Sequence, residues 1–349
     1  MMATTIKDGN DPQAILGGTT EPALAPDYAR ARETGRGRHA ENPAQIPAEG
    51  WKDILLRLLL SVPQNRLMTL SGGVAFFALL SIFPAIATAV SLYGFAADTV
   101  TITDHLNLLV GLLPSAILDL IRQQILSVAA KGNGTLGLAF GISLAVALWS
   151  ANSGTSALFD ALNVINGERE KRSLVRLYAT TLAVTLGSIL FVVFSLFCIV
   201  VLPSMARFFG VDSPTETLIP FLRWPVLFLV VMVILSILYR VGPSRREARW
   251  RWLTLGSASA ALLWIGASML FSWYVAEFDS YNRLYGSLGA IIAFMTWTWL
   301  SIFIMLLGGA LDAETEHQTA RDSTLGPPKP LGARGANMAD HVGRSAAEL

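Results

Sequence analysis

Four polar residues recur at helical spacing within an apolar stretch of the chain: Asn152, Ser156, Asp160 and Asn163, which are four, four and three positions apart. That spacing sets them on one face of a helix. They extend the run Trp149-Ser150-Ala151-Asn152-Ser153-Gly154-Thr155-Ser156. Lipid tails cannot hydrogen-bond such a face, so it must look into a helix bundle or a wet cavity. An ionisable group at membrane depth, here Asp160, marks a functional site by default. The chemistry available is hydrogen bonding and charge compensation for a polar solute, a headgroup or an ion. The competing reading puts Asp160 at headgroup level and makes the other three the glue between helices. Pro84, in Ser81-Ile82-Phe83-Pro84, removes one helix hydrogen bond and frees a carbonyl. Such a break helps to bind or gate in a transporter, or else only kinks the helix for packing. Glu168, Arg169, Asp312 and Glu314 would lie at the inner mouth of the same path.

Residue types for bond-making chemistry are scarce. The one cysteine, Cys198, lies in an apolar run, so no intrachain disulfide or thiolate cluster is expected. His39, His105, His317 and His341 have no metal-ligand spacing. There is no pair of carboxylates spaced for a metal and no basic groove, and the net charge is +1. The expectation is a non-enzyme with no catalytic residue, metal or cofactor, and no nucleic-acid partner.

The elements that must position the polar face follow from composition. Of 349 residues, 53% are hydrophobic and 15% charged, against about 25% charged in a soluble domain. Most of the charge sits in residues 1–66 and 312–349. The segments 67–97, 132–159, 177–206, 252–276 and 284–311 contain no Lys, Arg, Asp or Glu, and 218–239 only Arg223. Each is long enough for a spanning helix, which needs about 20 apolar residues. The fold class expected is an all-α, polytopic membrane bundle of six transmembrane helices, roughly 70–93, 136–160, 177–201, 219–240, 253–275 and 287–310. Small residues such as Gly72, Gly256, Gly266, Gly308 and Gly309 favour close packing.

Basic residues crowd one set of flanks: Lys52, Arg57 and Arg66, then Arg169 to Arg176, then Arg240 to Arg251, then Arg321. The other flanks hold Arg122, Lys131, Arg207, Arg223 and Arg283. This asymmetry puts both termini in the cytoplasm. Trp224, Trp250, Trp252, Trp273, Tyr274 and Tyr285 read as interface anchors, and Arg223 as a side chain snorkelling to the outer surface.

Residues 1–50 read as a disordered cytoplasmic tail, without an apolar signal-peptide core, and 312–349 as a flexible one. Within 51–66, Trp51, Ile54, Leu55, Leu58, Leu59 and Val62 line one face of an interfacial amphipathic helix, with Lys52, Asp53 and Arg57 off it. The membrane domain is 67–311. Its long outer loop, 94–135, is dense in Leu and Ile and divided by Pro114. It reads as a cap on the bundle or a gate over an outward cavity. A weak parallel repeat pairs Gly134-Thr135-Leu136-Gly137 with Gly286-Ser287-Leu288-Gly289, and Asp160-Ala161 with Asp312-Ala313, at the same offset.

Three ordered motifs carry a resemblance. One is Tyr239-Arg240-Val241-Gly242-Pro243, continuing through Trp264, Phe271 and Tyr274 to Tyr281-Asn282-Arg283-Leu284-Tyr285-Gly286-Ser287-Leu288-Gly289, Trp297 and Leu307-Gly308-Gly309. Another runs from Leu148-Trp149-Ser150 through Ala161-Leu162-Asn163 to Glu168-Arg169. The third is Ala78-Leu79-Leu80-Ser81-Ile82-Phe83-Pro84. Over about 51–345 these resemble the YihY/BrkB family of bacterial inner-membrane proteins. The resemblance implies a multi-pass protein of the inner (plasma) membrane, linked to virulence and serum resistance, in a group that once carried a ribonuclease BN label. It also makes Tyr281, Tyr285, Gly286, Gly289, Trp297 and Gly308 the family-motif positions. The chain departs from the family pattern at Asn65, Phe77 and Ala310, where an Asp, a Tyr and a Glu are common. Each departure removes an ionisable group or a hydroxyl, which argues against proton coupling through those positions.

Two functions are then in view. One is a transporter of a lipid, an ion or a small solute, linked to envelope or stress resistance. The other is a non-transporting membrane scaffold or envelope-assembly factor. Membrane lipids are the expected partners. Six spans are few for a complete path, which leaves a homo-oligomer open, and the substrate is not named by the sequence.

Overall fold

The computed structural model describes residues 25–96, 133–196, 214–277 and 289–349. Residues 97–132 of the outer loop, Cys198, Tyr281, Tyr285 and Gly286 lie outside the described residues, as do the side chains of Arg223 and Trp224. Among the described residues the fold is all-helical, and the sole extended pairing is an isolated antiparallel bridge between Ala248 and Thr324.

Among the described residues six long helices form the bundle: α3 (Leu67–Ala96), α4 (Asn133–Ile165), α5 (Leu174–Leu196), α6 (Pro214–Val241), α7 (Thr254–Glu277) and α8 (Gly289–Glu316). The charge-free runs dictate them, because a chain in lipid must satisfy each backbone group within its own helix. Two stretches, Thr254–Tyr274 and Ile291–Glu316, are long and apolar enough to cross a membrane. Shorter apolar helical stretches are Leu67–Ser81, Leu174–Leu190 and Pro225–Val241. Helix α3 runs unbroken through Pro84. Before the bundle come α1 (Ala25–Ala31) and α2 (Ala48–Gln64), and after it the single turn α9 (Asn337–Asp340).

α3 and α4 form the most extensive packing pair; α8 packs on α7, α3 and α4, while α5 leans on α4. The core gathers Phe159, Leu162, Leu235, Leu238, Tyr239, Ala260 and Leu306. The outer surface is apolar, with Leu190, Leu262, Leu270 and Trp273 all more than half exposed, as a lipid-facing wall requires. α7 and α8 cross at glycines. A Cβ on Gly256 would stand 2.1 Å from the Gly308 carbonyl oxygen, and one on Gly308 2.6 Å from the Ala260 Cβ. The Tyr239 hydroxyl donates to the Met305 carbonyl at 2.6 Å beside this crossing.

At the end where α3, α5 and α7 begin and α4, α6 and α8 finish, both terminal segments fold together into a polar layer. This differs from the disordered and flexible tails that composition suggests, for residues 25–50 and 312–349 alike. The physical reason is long-range pairing of charge. Arg57 of α2, itself buried, donates to Glu314 (2.6 Å), Gln318 Oε1 (2.8 Å) and the Arg344 carbonyl (2.7 Å). Arg36 grips Asp53 at 2.7 and 2.8 Å, and the Ala346 N–H donates to the same carboxylate at 2.7 Å. Arg38 reaches Glu33 and the Gln318 and Gly343 carbonyls. Arg334 donates to the Ala320 carbonyl at 2.7 Å, and Arg245 pairs with Glu316. Trp252 is 1% exposed, packed with Ala40, Ile46 and Ile54. It is a core residue of this layer and not an interface anchor, whereas Trp250 and Trp273 stay about half exposed.

Candidate functional site

The polar face of α4 divides on folding. Asn152 and Asn163 are buried, Ser156 is half-buried and Asp160 is exposed. Helix geometry accounts for this. Each four-residue step advances the helix by about 40° beyond a full turn, so Asp160 has drifted about 80° from Asn152. The three-residue step to Asn163 brings the face back. Asp160 therefore does not line the bundle interior, which corrects the shared face inferred from spacing. It also differs from Asp312, its partner in the weak repeat, which is buried.

What α4 does place inside is uncharged. The Asn152 Oδ1 and Ser150 Oγ atoms are buried and have no hydrogen-bond partner. Buried polar atoms in native folds are nearly always bonded, so each such orphan needs an explanation. Thr155, one turn from Asn152, meets the Thr185 hydroxyl of α5 at 2.7 Å. Thr185 and Thr181 of α5 are both buried, and their hydroxyls donate to the Thr181 and Tyr178 carbonyls. Thr155 and Thr185 thus mark a hydroxyl-rich seam between α4 and α5, with Asn152 and Thr181 each one turn away on their own helices. The two threonines of α5 were not singled out from sequence, although their four-residue spacing in an apolar run was the available signal. On the other flank of α4, a Cβ on Gly154 would touch the Phe77 Cβ of α3 at 3.4 Å. Pro84 of α3 is half-buried.

The remaining candidates hold the inner end of the bundle together. Asn163 accepts the Ser244 N–H at 2.6 Å and donates to Glu170 at 3.0 Å. The bonds from Arg172 hold the Glu170 carboxyl well below its ordinary range, at about 2. Glu168 is buried; it accepts the Asn337 N–H and the Lys171 ammonium, both at 2.7 Å. Arg169 is exposed. Asp312 Oδ1 accepts the Gly256 N–H at 2.6 Å, capping the first turn of α7 from a neighbouring helix, while its Oδ2 lacks a partner. A carboxyl suits that place because the first N–H groups of a helix have no partner of their own. Glu314 is taken by Arg57. Glu168, Asp312 and Glu314 are therefore engaged by different elements and Arg169 is exposed, so the four residues assigned to an inner mouth do not converge on one opening.

Of the family-motif positions, Gly289 opens α8 and Gly308 lies at the α7 crossing. Trp297 points its indole N–H at the Ser268 hydroxyl (3.3 Å) and its ring centroid lies 6.2 Å from that of Trp264. At the departures from the family pattern, Asn65 caps the C-terminal end of α2, Phe77 lies edge-on to Phe76, and Ala310 is 1% exposed. Among the described residues no three His, Cys, Asp or Glu side chains come together as a metal site.

A family model described as Virulence factor BrkB matches residues 59–331, most of the chain. The chain is 30% identical to the ribonuclease-like protein YfkH of Bacillus subtilis over 270 residues, which cover 75% of this chain and 93% of that protein. A UPF0761 membrane protein of Idiomarina loihiensis is 30% identical over 46% of this chain and 56% of its own length. One of Nitrosospira multiformis is 27% identical over 75% of this chain and 60% of its own. No solved structure matches. The apolar helices and these relatives agree that this is a membrane protein, and the chain belongs to the Virulence factor BrkB family.

Proposed function

We propose that the chain is a six-span protein of the bacterial inner membrane, with both termini in the cytoplasm, that moves a lipid, an ion or a small solute. The observation that carries this reading is the pair of orphaned oxygens inside α4, Asn152 Oδ1 and Ser150 Oγ, the former one turn from the threonine seam with α5. A polar group buried in lipid-embedded protein without a partner is costly unless something polar visits it. The seam contains amide and hydroxyl groups but no charge, so it suits a dipolar or hydrated cargo better than a proton relay. The basic flanks at the polar-layer end support the orientation. The family's description as a virulence factor supports a link to envelope or stress resistance. On this reading the protein is not an enzyme. Its partners are membrane lipids and, because six spans are few, a second copy of the chain.

The test is the purified full chain in vesicles, assayed for lipid scrambling and for ion flux. Asn152→Leu should lower whichever activity is found at least tenfold, and Asp160→Ala should leave it within twofold. No activity in either assay would move the reading to a membrane scaffold or envelope-assembly factor. That second reading is favoured by the polar layer, where both terminal segments are clasped into one folded platform.

A further inference from the structure

Helix α2 is amphipathic the wrong way round for a helix facing water. Its buried side carries Gly50, Asp53, Ile54, Arg57, Leu58 and Ser61. Its opposite side exposes Leu55 (50%), Leu56 (37%), Leu59 (67%) and Leu60 (39%). The charged pair is turned inward, onto Arg36, Glu314 and the C-terminal segment, and the leucines outward. A helix at a protein–water boundary does the reverse. The exposed side also carries cations: Lys52 lies one turn before Leu56, and Arg66 lies just beyond the helix end. Both are exposed, and among the described residues neither forms a salt bridge. Between them the exposed side has no acidic residue, and the one exposed carboxylate of α2 is Glu49 in its first turn.

The position of the stripe identifies its occupant. The Asn65 N–H closes α2 on the Ser61 carbonyl at 2.8 Å. Arg66, at φ 51°, turns the chain, and the apolar helix α3 begins at Leu67. The helix that bears the leucine stripe thus ends two residues before a lipid-facing helix, and Met68, 55% exposed, continues the apolar surface. We propose that α2 lies in the boundary layer of the leaflet at which α3 begins, with Leu55, Leu56, Leu59 and Leu60 among the acyl chains and Lys52 and Arg66 on anionic phospholipid headgroups. Apolar contact and attraction to anionic lipid are the two components of such interfacial binding. Because the other side of α2 holds both terminal segments, the polar layer is tied to the lipid surface through this one helix. The inference shares the orientation given above but not the transport activity, so a silent flux assay leaves it standing.

The experiment uses the full chain with Cys198→Ser, reconstituted in vesicles, with a nitroxide at Leu59→Cys or Leu56→Cys. Power saturation compares collisions with oxygen, which partitions into lipid, and with a water-soluble nickel chelate. Oxygen collisions should exceed nickel collisions several-fold at both positions. Nickel in excess would mean a water-facing helix, and low rates for both reagents would mean a face covered by a second copy or another protein; either overturns the proposal. Replacing neutral phosphatidylcholine vesicles by vesicles containing phosphatidylglycerol should move the label deeper, and Lys52→Gln with Arg66→Gln should abolish that shift. Equal depth in the two vesicle types would overturn the headgroup contact.

Discussion

Arg57 offers the most exacting test of the polar layer. Its guanidinium donates to the Glu314 carboxylate and carbonyl, to Gln318 and to the Arg344 carbonyl, and it is 6% exposed. Arg57→Met keeps most of the stem and removes every donor. Glu314 then remains buried, with only the distant His317 Nδ1, 3.6 Å away, to answer its charge. Breaking a buried pair from one side costs about 3–5 kcal/mol, because the surviving charge is left uncompensated. If that energy holds the C-terminal segment in place, its opening becomes roughly 10²- to 5 × 10³-fold more frequent. Hydrogen exchange reads this at three amides: Val342 on Asp27, Gly343 on the His317 carbonyl and Ala346 on Asp53. The double variant Arg57→Met/Glu314→Leu should recover much of the loss, since an apolar pair replaces the ionic one without an orphaned charge. Acceleration of less than tenfold in the single variant, or a double variant no better than the single, would refute the reasoning.

Three further outcomes follow from other parts of the fold. Gly256→Ala puts a methyl 2.1 Å from the Gly308 carbonyl oxygen. It should cost about 1–3 kcal/mol in detergent unfolding, whereas Gly266→Ala, with nothing within 4 Å, should be neutral or gain up to about 1 kcal/mol. The hydrogen bond that His341 Nδ1 donates to the Asp27 carboxylate (2.9 Å) raises the His341 pKa above its ordinary 6.5. This tie is at full strength below that ordinary value and is lost as pH rises through the raised one. For Asp27 burial raises the pKa, but the His341 and Val342 bonds outweigh it, and the net lowering means its share is lost as pH falls below the ordinary carboxylate range. An NMR titration should find His341 back near 6.5 in Asp27→Asn, and an unchanged titration would exclude the pairing. Asp160→Ala, at an exposed position, should change stability by no more than about 0.5 kcal/mol, measured in the same unfolding assay.

The helices were legible in the sequence and the polar layer was not. A run of twenty or more residues without charge has few options in lipid, and the long helices fall where the charge-free runs do. The terminal segments are governed by pairings that local composition does not encode. Arg38 bonds to Gln318 and Gly343 across most of the chain, and no periodicity announces a partner that distant. The sequence shows α2 to be amphipathic, but its rotation in the fold differs from the apolar face that the spacing suggests. Ile54 and Leu58 turn inward with Asp53 and Arg57, leaving the other leucines outside. In α4 the spacing of Asn152 and Asn163 was informative and that of Asp160 misleading, because the drift of successive four-residue steps decides which side chain stays inside. Thr181 and Thr185 carried a signal too weak to notice without their neighbour Thr155.

The clasp of the terminal segments bears on how the protein is made. Arg57 and its partner Glu314 are 257 residues apart in sequence. At a synthesis rate of about 5–20 residues per second, Arg57 waits on the order of 10–60 s for its counter-ion to be made. Asp53 and Ala346 are further apart still, at 293 residues. During that interval the apolar helices enter the bilayer one after another while Arg57 stays without its counter-ion. Closure of the clasp is then a late event in biogenesis, because Glu314 and Ala346 are made long after Arg57 and Asp53. A ribosome that stalls within α8 would leave Arg57 without Glu314 and Arg38 without the Gln318 and Gly343 carbonyls, while Arg36 keeps Asp53, so the two ends of the layer mature at different times.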